Sequence, residues 1–419
     1  MQWVRAPWAF SMLLAVGSVQ AADSPFAITV NAGPHDRVNT PVRIPIFRLP
    51  VNPGNARAVI LESPDGTQIA GQITRPGLVT EFQTGSNQPA QGELHFVLPQ
   101  LKAGQTLTLK CTFADAPPPA AQTFRWQEAP GEHTELRLGD RPVMRYMYKP
   151  LDDSTKEARE LTYKVFHHVF DPKGTRLVTK GPGGRYPHHR GLFYGFNRIT
   201  YEGEKRVDTW HCTGDTHQSH EGFLTQEEGP VLGRHRVAID WHGVGKKVFA
   251  KEEREMTVYA VPGGRLIEFA SRLRSTVGPV TLAGDPQHAG FQFRADNEVA
   301  ATTNKQTYYL RPDGKGQPGE TRNWPGQKDF INLPWNAMSF VLGDQRYTCC
   351  YLDKPTNPKE ARYSERDYGR FGSYFEYDLT GANSLDINYR IWLQEGEMPV
   401  EQVAAKSADF VEPVKATVR

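Results

Sequence analysis

The chain has 419 residues, a formal net charge of +2 and 23% charged side chains. Its basic residues are dispersed along the sequence, which speaks against a nucleic-acid partner and against a membrane-surface role. A chain of this length exceeds what one hydrophobic core usually supports, so the sequence predicts two domains.

Residues 1–21 are predicted to be a cleaved secretory signal peptide. Arg5 supplies a positive start, residues 8–16 are apolar but too few to cross a bilayer, and residues 19–21 have the small-residue form of a cleavage site. No later segment of the sequence is apolar enough to span a membrane. We therefore expect an exported protein, periplasmic or secreted, with no membrane span.

Two β-rich regions follow, separated by a proline- and alanine-rich linker around residues 114–124. Residues 22–125 have the size and the turn signals of a small β-sandwich. Residues 126–419 form one long β-rich region, which is typical of two large packed sheets. The predicted fold is all-β: a small N-terminal β-sandwich followed by a large antiparallel two-sheet sandwich of the supersandwich or jelly-roll type. The last residues, EPVKATVR, are predicted to be a loose end.

Alternating apolar and polar residues predict antiparallel strands with one solvent-exposed face. In RLIEFASRLRS, residues 265–275, Ile267 and Phe269 share a face and Glu268 lies on the opposite one. SLDINYRIWLQ, residues 384–394, alternates in the same way. We expect the N-terminal module to pack against this larger domain.

One helical signal stands out among these strands. It is STKEARELTY, residues 154–163, in which Ser154 and Glu157 have the spacing of a capping box. The segment is short, and a turn is the alternative.

Four cysteines are too few for a disulfide framework at this length, although export would permit disulfides. Cys111 alternates with apolar residues in TLTLKCTF and is predicted to be buried in a strand. Cys212 could pair with Cys349 or Cys350. Free, buried thiols are the favoured alternative for Cys111 and one of the adjacent pair.

The first candidate site motif is PHHRG, which follows a glycine-rich turn. His188 and His189 can give or take a proton near neutral pH, and Arg190 supplies a fixed fork for an anion or for sugar hydroxyls. The alternative is an ordinary surface turn.

The second motif is DTWHCTGDTHQSH, residues 208–220. His211, His217 and His220 follow Asp208 closely and are weak candidates for ligands of a divalent metal. Their spacing is not that of a familiar zinc motif, and the sequence contains no His-Glu-x-x-His. A hydrogen-bonding loop over a substrate cleft is the favoured interpretation.

The third motif is DPQHAGFQFRA, residues 285–295. On an extended strand His288, Gln292 and Arg294 point one way, while the alanine and phenylalanines between them point the other. The apolar face would pack between the sheets, and the polar face would form part of a concave, ligand-lined surface. The alternative is a solvated outer face.

The fourth motif follows the turn at KPTNP and reads ERDYG. Arg366, Asp367 and Tyr368 suit sugar recognition, because a ring can stack on the sugar while charged groups bind its hydroxyls. A structural Arg–Asp pair is the alternative.

Taken together, these segments resemble the PmoA-like family of exported bacterial proteins. The resemblance rests on KVFHHVFDPKGTRLVTKGPGGRYPHHRGLFYGFN, then DTWH, HAGFQFR, KPTNP and ERDYG, and it covers most of residues 140–395. It implies a context of sugar degradation. The methane oxygenase subunit behind the family name is an integral membrane protein, whereas this chain has no spanning segment. More distantly, the strand pattern is similar to galactose-mutarotase-like supersandwich proteins, in which a histidine on a concave sheet faces a sugar.

The sequence thus predicts an exported carbohydrate-active protein, an enzyme that performs acid–base chemistry on a sugar or glycan: elimination, glycoside cleavage or epimerisation. His189 or His211 is the predicted proton-transfer group, and Arg190 or Arg294 is expected to hold a substrate oxygen. His288 and Tyr368 are further catalytic candidates. The other predicted substrate-binding residues are His188, Asp208, Trp210 as a stacking face, Gln292, Arg366 and Asp367.

Two alternatives belong to other classes of protein. The first is a non-catalytic glycan-binding protein that uses the same polar face. The second is a metal-dependent oxygenase or hydrolase. The predicted partner is a carbohydrate or a sugar-derived small molecule; no cofactor is assigned, and a divalent metal belongs only to the second alternative.

Overall fold

The structure is a computed structural model that describes residues 26–47, 58–84, 89–119, 121–203, 205–285 and 287–418. The predicted signal peptide lies outside these residues. Strands predominate throughout, which confirms the all-β prediction. Over the described part of the chain, no helix is both long and apolar enough to cross a membrane.

Across its described residues, 26–47, 58–84 and 89–119, the first region has six strands and one short helix. They are β1 (Phe26–Asn31), β2 (Arg37–Ile46), β3 (Ala58–Glu62), β4 (Gln68–Thr74), α1 (Leu78–Thr84), β5 (Gly92–Leu101) and β6 (Thr106–Ala114).

The following region begins with strands separated by long loops. Its first half comprises β7 (Phe124–Ala129), β8 (His133–Leu138), β9 (Arg141–Met147), α2 (Lys156–Thr162), β10 (Phe166–Val169), β11 (Leu192–Phe196), β12 (Arg198–Tyr201), β13 (Lys205–Val207), β14 (His217–Glu227), β15 (Leu232–His242), β16 (Val248–Tyr259) and β17 (Arg265–Ser275). Its second half comprises β18 (Val280–Ala283), β19 (Ala289–Arg294), β20 (Tyr308–Arg311), β21 (Gly314–Lys315), β22 (Trp335–Leu342), β23 (Gln345–Asp353), β24 (Arg362–Arg366), β25 (Arg370–Tyr374), β26 (Tyr377–Leu379), β27 (Leu385–Glu395), α3 (Val400–Val411) and β28 (Lys415–Val418). Short 3-10 or π turns occur at Val244–Lys246, Val299–Thr303 and Asn304–Gln306.

Two large antiparallel sheets form the main sandwich. One has eight strands in the order β24-β25-β19-β11-β10-β9-β8-β7, and the other has nine in the order β14-β15-β16-β17-β27-β23-β22-β20-β21. Their apolar faces pack together: Phe291 of β19 stacks on Phe269 of β17 with ring centroids 4.0 Å apart. A four-stranded sheet, β13-β12-β18-β26, completes this part. The predicted two-sheet sandwich is confirmed.

The C-terminal residues join the first region, so the predicted loose end is wrong. The first sheet has the order β2-β5-β4-β3-β6-β1-β28, and Ile28 of β1 pairs with Val418 of β28. Strand β28 also lies beside β2, so the sheet nearly closes on itself. Strand β28 covers the edge of β1, whose backbone N–H and C=O groups would otherwise be unpaired. The division at residues 125 and 126 stays a prediction.

The N-terminal module covers a face of the nine-stranded sheet that the sequence predicts to be exposed. Glu268 of β17 is only 4% exposed. Its carboxylate accepts hydrogen bonds from Arg390 of β27 at 2.7 Å and from Arg43 of β2 at 2.9 Å. Period-two alternation identifies which residues share a face, but not what packs on that face.

Helix α2 confirms the helical signal, with a different cap from the one predicted. The N-cap is Thr155, whose side chain accepts a hydrogen bond from the backbone N–H of Ala158 at 3.0 Å. Ser154 precedes the cap.

All four cysteines are free and buried. Cys111 lies in β6, as predicted, opposite Phe26 of β1. Burial raises the pKa of the Cys111 thiol to about 12, which makes it unreactive at neutral pH.

Candidate functional site

Three histidines from three different loops meet over the outer face of the eight-stranded sheet. His188 lies between β10 and β11, His211 between β13 and β14, and His288 immediately before β19. Each ring offers one nitrogen, and these three atoms all lie within 4.8 Å of one another. All three residues are half-buried, so the cluster is held by the protein and still open to solvent. We call it the histidine triad.

Two of the three imidazoles are oriented by aspartates. His211 Nδ1 lies 2.7 Å from Asp208 Oδ2, and His288 Nδ1 lies 2.8 Å from Asp285 Oδ1. With Nδ1 committed to a carboxylate, Nε2 is the nitrogen of each ring that can bind a further group. The same local arrangement therefore occurs twice: in an Asp-x-x-His segment, the aspartate side chain contacts the histidine three residues later.

Both aspartates are themselves anchored to the backbone or to a neighbouring loop. Asp208 Oδ1 accepts from the backbone N–H groups of Trp210 and His211 at 2.9 and 2.8 Å. Asp285 Oδ2 accepts from Asn197 Nδ2 at 2.8 Å. Burial alone would raise the pKa of Asp285, but hydrogen bonds from His288 and Asn197 hold it well below its usual range. Asp285 is therefore an anion at any physiological pH.

The third imidazole is held neutral by its surroundings. Burial, followed by the nearby Lys164 ammonium, lowers the pKa of His188 to about 2. Among the described residues, His188 Nε2 has no hydrogen-bond partner. A neutral imidazole with an uncommitted nitrogen has a free lone pair for a metal ion.

Lys164 ties together two of the loops that supply the triad. Its buried ammonium donates to the backbone carbonyl of His188 at 3.2 Å and to that of Trp210. Burial lowers the pKa of Lys164 to about 8. Lys164 was not among the residues predicted from the sequence to belong to the site.

A glycine on β11 lets one of these loops lie directly on the sheet. A Cβ at Gly195 would lie 2.8 Å from the carbonyl oxygen of Thr209, closer than real Cβ contacts come. The segment from Asp208 to His211 can therefore reach the triad only because β11 has no side chain at this point.

His189 and Tyr368 pack next to the triad, beneath its open side. The His189 ring is buried, lies 4.3 Å from the His188 ring and stacks on Tyr368 at 6.1 Å. Neither nitrogen of His189 has a partner within the described chain. Tyr186, which is 37% exposed, covers Tyr368 with ring centroids 4.8 Å apart.

Three residues predicted to bind substrate are fully buried instead. Trp210 packs on Phe193 beneath the triad, so it offers no stacking face to solvent. Arg190 points toward α2 and donates to the carbonyl of Glu160. Gln292 donates to the carbonyl of Ala289 at 3.1 Å. The polar face of β19 is thus not an open concave surface, because loops cover it.

Arg294 is also buried in this covered face. Its guanidinium donates to the carbonyls of Ala295 and Tyr368 and lies 5.1 Å from the Tyr368 ring centroid. Its neighbours in the fourth motif are directed elsewhere: Arg366 donates to the side chain of Asn323, and Asp367 accepts from Asn304 at 2.8 Å. Of ERDYG, Tyr368 is the residue that packs beside the triad.

The remaining two candidate metal ligands lie on β14, away from the triad. His217 stacks on His242 at 4.0 Å, and its Nδ1 lies 2.8 Å from the carbonyl of Asp215. His220 Nδ1 lies 3.3 Å from the hydroxyl of Tyr146. Of the three predicted metal ligands, His211 alone belongs to the triad, where it lies with His188 and His288.

A cleft adjoins the triad on the side of its aspartates. It has a volume of about 570 Å³, within the usual range for small-ligand sites. Asp208 and Asn197, which position His211 and Asp285, form part of its wall. The other lining residues are Arg198, Ile199, Thr200, Arg206, Val207, Thr213, Gly214, Asp215, Thr216 and Val244.

Fold and site together define an all-β sandwich protein with a solvent-facing, three-histidine centre supported by aspartates. The chain belongs to a family of unknown function (DUF6807), which matches residues 133–408 and so contains all three histidines. No curated protein matches the chain. The resemblance to the PmoA-like family stays a prediction.

Several solved structures align with this chain, including the following two. A glycosyl hydrolase family 38 protein from Enterococcus faecalis aligns with 94% of this chain at 9% identity and a TM-score of 0.44. This chain spans about half the length of that protein, 47%. OccK9 (OpdG) of Pseudomonas aeruginosa aligns at 10% identity over 90% of this chain and 97% of its own length, with a TM-score of 0.13. Neither score is high enough to support an inference about function.

Proposed function

We propose that this protein is a metal-dependent enzyme in which His188, His211 and His288 hold one divalent ion. The observation that supports the proposal is the histidine triad: three imidazole nitrogens within 4.8 Å of one another, two of them on rings oriented by aspartates. Aspartate-oriented histidines are the usual support of metal-binding imidazoles in proteins.

The donor set favours a catalytic ion over a structural one. Imidazole suits Zn²⁺, Fe²⁺, Cu²⁺ and Ni²⁺, and three protein ligands leave a position for water or substrate. Bonds of about 2.0–2.1 Å to three nitrogens in a tetrahedral arrangement need those nitrogens roughly 3.4 Å apart. Small rotations of the half-buried rings would close the observed spacing to that value. A bound divalent ion would polarise a substrate oxygen or lower the pKa of a bound water.

A carbohydrate is the substrate class that we propose for this centre, with hydrolysis, elimination or epimerisation as the reaction. The exposed ring of Tyr186 offers a stacking surface beside the triad, and the adjoining cleft combines hydroxyl, amide and charged side chains with an apolar strip. The resemblance to the PmoA-like family and the predicted signal peptide support the same assignment. Export to the periplasm or the medium is part of this proposal.

The decisive test is metal content. Protein purified without chelators should contain about one divalent transition-metal ion per chain. His188→Ala, His211→Ala and His288→Ala should each lose it, whereas His217→Ala, in the separate stacked pair on β14, should retain it. A preparation that contains no stoichiometric metal, and that takes up none from Zn²⁺, Fe²⁺, Mn²⁺, Ni²⁺ or Cu²⁺, would refute the proposal.

A second candidate function needs no metal. The Asp208–His211 and Asp285–His288 pairs have the arrangement of acid–base dyads, in which a carboxylate fixes the tautomer of a catalytic imidazole. This version predicts turnover of a sugar substrate in the presence of chelator. Mass-spectrometric products from an oligosaccharide panel, with and without chelator, separate the two candidates.

A further inference from the structure

Five cationic side chains are buried behind the loop that supplies His188. They are Lys164, Lys180, Arg190, Arg294 and Arg370, and none is more than 5% exposed. Their hydrogen-bond acceptors are backbone carbonyls, or, for Arg370, the side chains of Gln292 and Ser364. Within the described ranges, no carboxylate forms an ion pair with any of the five.

Most other buried arginines of this protein are paired with carboxylates, which makes the contrast informative. Arg254 contacts Glu252 at 2.8 Å, Arg234 contacts Glu93 at 2.7 Å, and Arg311 contacts Glu365 at 2.6 Å. Arg37 and Arg390 are paired in the same way. Arg265, which donates to backbone carbonyls, is an exception outside this region.

Burial lowers the pKa of Lys164 to about 8 and that of Lys180 to about 7, so Lys180 is only partly charged at neutral pH. The three arginines supply most of the unpaired charge, which leaves a positive potential near the opening to solvent. Glu160 and Asp296 act on Lys180 at longer range, without forming an ion pair with it. Asp208 and Asp285 bring two negative charges close to the triad, but both are bonded to its histidines. A divalent ion in the triad would add two further positive charges. Low-dielectric walls around charges of one sign concentrate the field at the mouth of a site.

An exposed arginine continues this charge to the rim of the site. Arg185 is exposed, and its guanidinium lies 5.2 Å from the Tyr186 ring centroid and 5.6 Å from that of Tyr368. Both rings pack beside His189, next to the triad. The guanidinium donates to the Tyr186 hydroxyl at 3.4 Å and has the Asp367 carboxylate at longer range. It is held against the two rings that adjoin the triad, with its remaining N–H groups available for an oxyanion.

We infer that the substrate of this site bears an oxyanion, and that Arg185 and Tyr186 bind this group while the rest of the sugar reaches the histidine triad. This inference rests on the proposed function, because it assumes that the substrate binds at the histidine triad. Carboxylate, sulfate and phosphate esters share the recognising chemistry, and a carbohydrate can contain any of them.

The test compares matched pairs of sugars on metal-loaded protein. Glucuronate is paired with glucuronamide, and glucose 6-sulfate and glucose 6-phosphate with glucose; binding is measured by calorimetry and metal content is recorded for the same sample. We expect at least one anionic member to bind about tenfold more tightly than its neutral partner, with the difference shrinking as salt is raised. The anionic sugar that binds most tightly shows whether the natural substrate contains a carboxylate, a sulfate ester or a phosphate ester.

Two variants test whether the oxyanion binds at Arg185. Arg185→Gln, at an exposed position, should reduce the preference for the anion several-fold and leave metal content unchanged. Arg125→Gln, an exposed arginine on strand β7 at the far edge of the same sheet, should change neither. An unaltered preference in Arg185→Gln would overturn the assignment of the rim.

Failure of this inference is distinguishable from failure of the proposed function. Equal affinity for charged and neutral partners in metal-loaded protein, or no binding of any oxyanion, would overturn the inference and leave the metal site standing. A preference for the anion in protein that binds no metal would refute the metal-dependent function and retain the anionic substrate.

Discussion

At the scale of single residues, the site is built from two copies of one short pattern. Asp208-x-x-His211 and Asp285-x-x-His288 each place a carboxylate against the Nδ1 of its own histidine. Both stretches belong to motifs that the sequence predicts for the site, but Asp285 was not among the predicted residues. The shared spacing was the signal that could have identified it.

The two aspartates are expected to tune the metal affinity rather than to bind the ion. Asp285→Asn keeps the shape of the side chain but removes the charge that orients and polarises His288. We expect metal affinity to fall about 10–100-fold, measured by competition with a chromophoric chelator. Asp344→Asn, in the exposed turn between β22 and β23, is the control and should leave affinity unchanged. Wild-type affinity in Asp285→Asn would exclude this role.

The unpaired cations behind the triad make a contrasting prediction for stability. Arg254→Met should cost about 3–5 kcal/mol, because it leaves the Glu252 carboxylate buried without a positive partner, although Trp241 and Ser271 still donate to it. Arg294→Met leaves behind only two carbonyls, so it should cost much less or even stabilise the protein. Urea unfolding of both variants measures the two costs. Equal losses of unfolding free energy in the two variants would contradict the prediction that an unpaired arginine contributes less to stability than a paired one.

At the scale of elements, the close approach of a loop to a strand sets the geometry of the site. Gly195→Ala would place a methyl group 2.8 Å from the carbonyl of Thr209, and the segment that bears His211 would have to shift. Overpacking of this kind costs about 1–3 kcal/mol, and we expect metal affinity to fall with it. Gly222→Ala is the matched control on β14, since its added methyl group meets nothing within 4 Å. Thermal unfolding and chelator competition measure the two effects, and a Gly195→Ala variant that binds metal normally would contradict the argument.

The strands could be predicted from the sequence, but the segments that pack on their polar faces could not. The segment 265–275 forms β17 with its predicted apolar face in the core, because period-two alternation is a local property of the chain. What covers Glu268 on the opposite face is the N-terminal module, which lies more than 200 residues away in sequence. The same limit applies to Gln292 and Arg294, whose predicted open face is covered by loops.

Long-range contacts also explain why the triad was only partly foreseen. His188, His211 and His288 were each candidates, but with different predicted roles. The metal hypothesis grouped His211 with His217 and His220, because those are its neighbours in sequence. Spacing along the chain reveals a metal site only when its ligands share one local segment, as in the motifs of zinc fingers or metalloproteases.

At the scale of the whole molecule, buried neutral histidines should make stability depend steeply on acidity. Burial lowers the pKa of His168 and of His235 to about 3 and that of His167 well below its usual value. Below pH 6.5 the unfolded chain binds protons that the folded protein does not, so the free energy of unfolding falls as the pH falls. Three such groups contribute up to about 4 kcal/mol per pH unit near pH 5.

Denaturant unfolding in chelator between pH 7 and pH 5 measures this slope without contributions from bound metal. Replacing one of the three, as in His168→Gln, should reduce the slope by about 1.4 kcal/mol per pH unit. A free energy of unfolding that stays flat over this interval would show that these histidines are protonated in the folded protein.

The pairing of β28 with β1 has a consequence for the order of events during synthesis. Strand β1 emerges from the ribosome among the first residues of the described chain, yet its neighbour on one side, residues 415–418, emerges among the last. The N-terminal sheet therefore stays one strand short until residues 415–418 have been synthesised, and the open edge of β1 persists for the whole of that time. A chain interrupted before residue 415 keeps that edge, so chaperones and proteases could recognise such a product by a single missing strand.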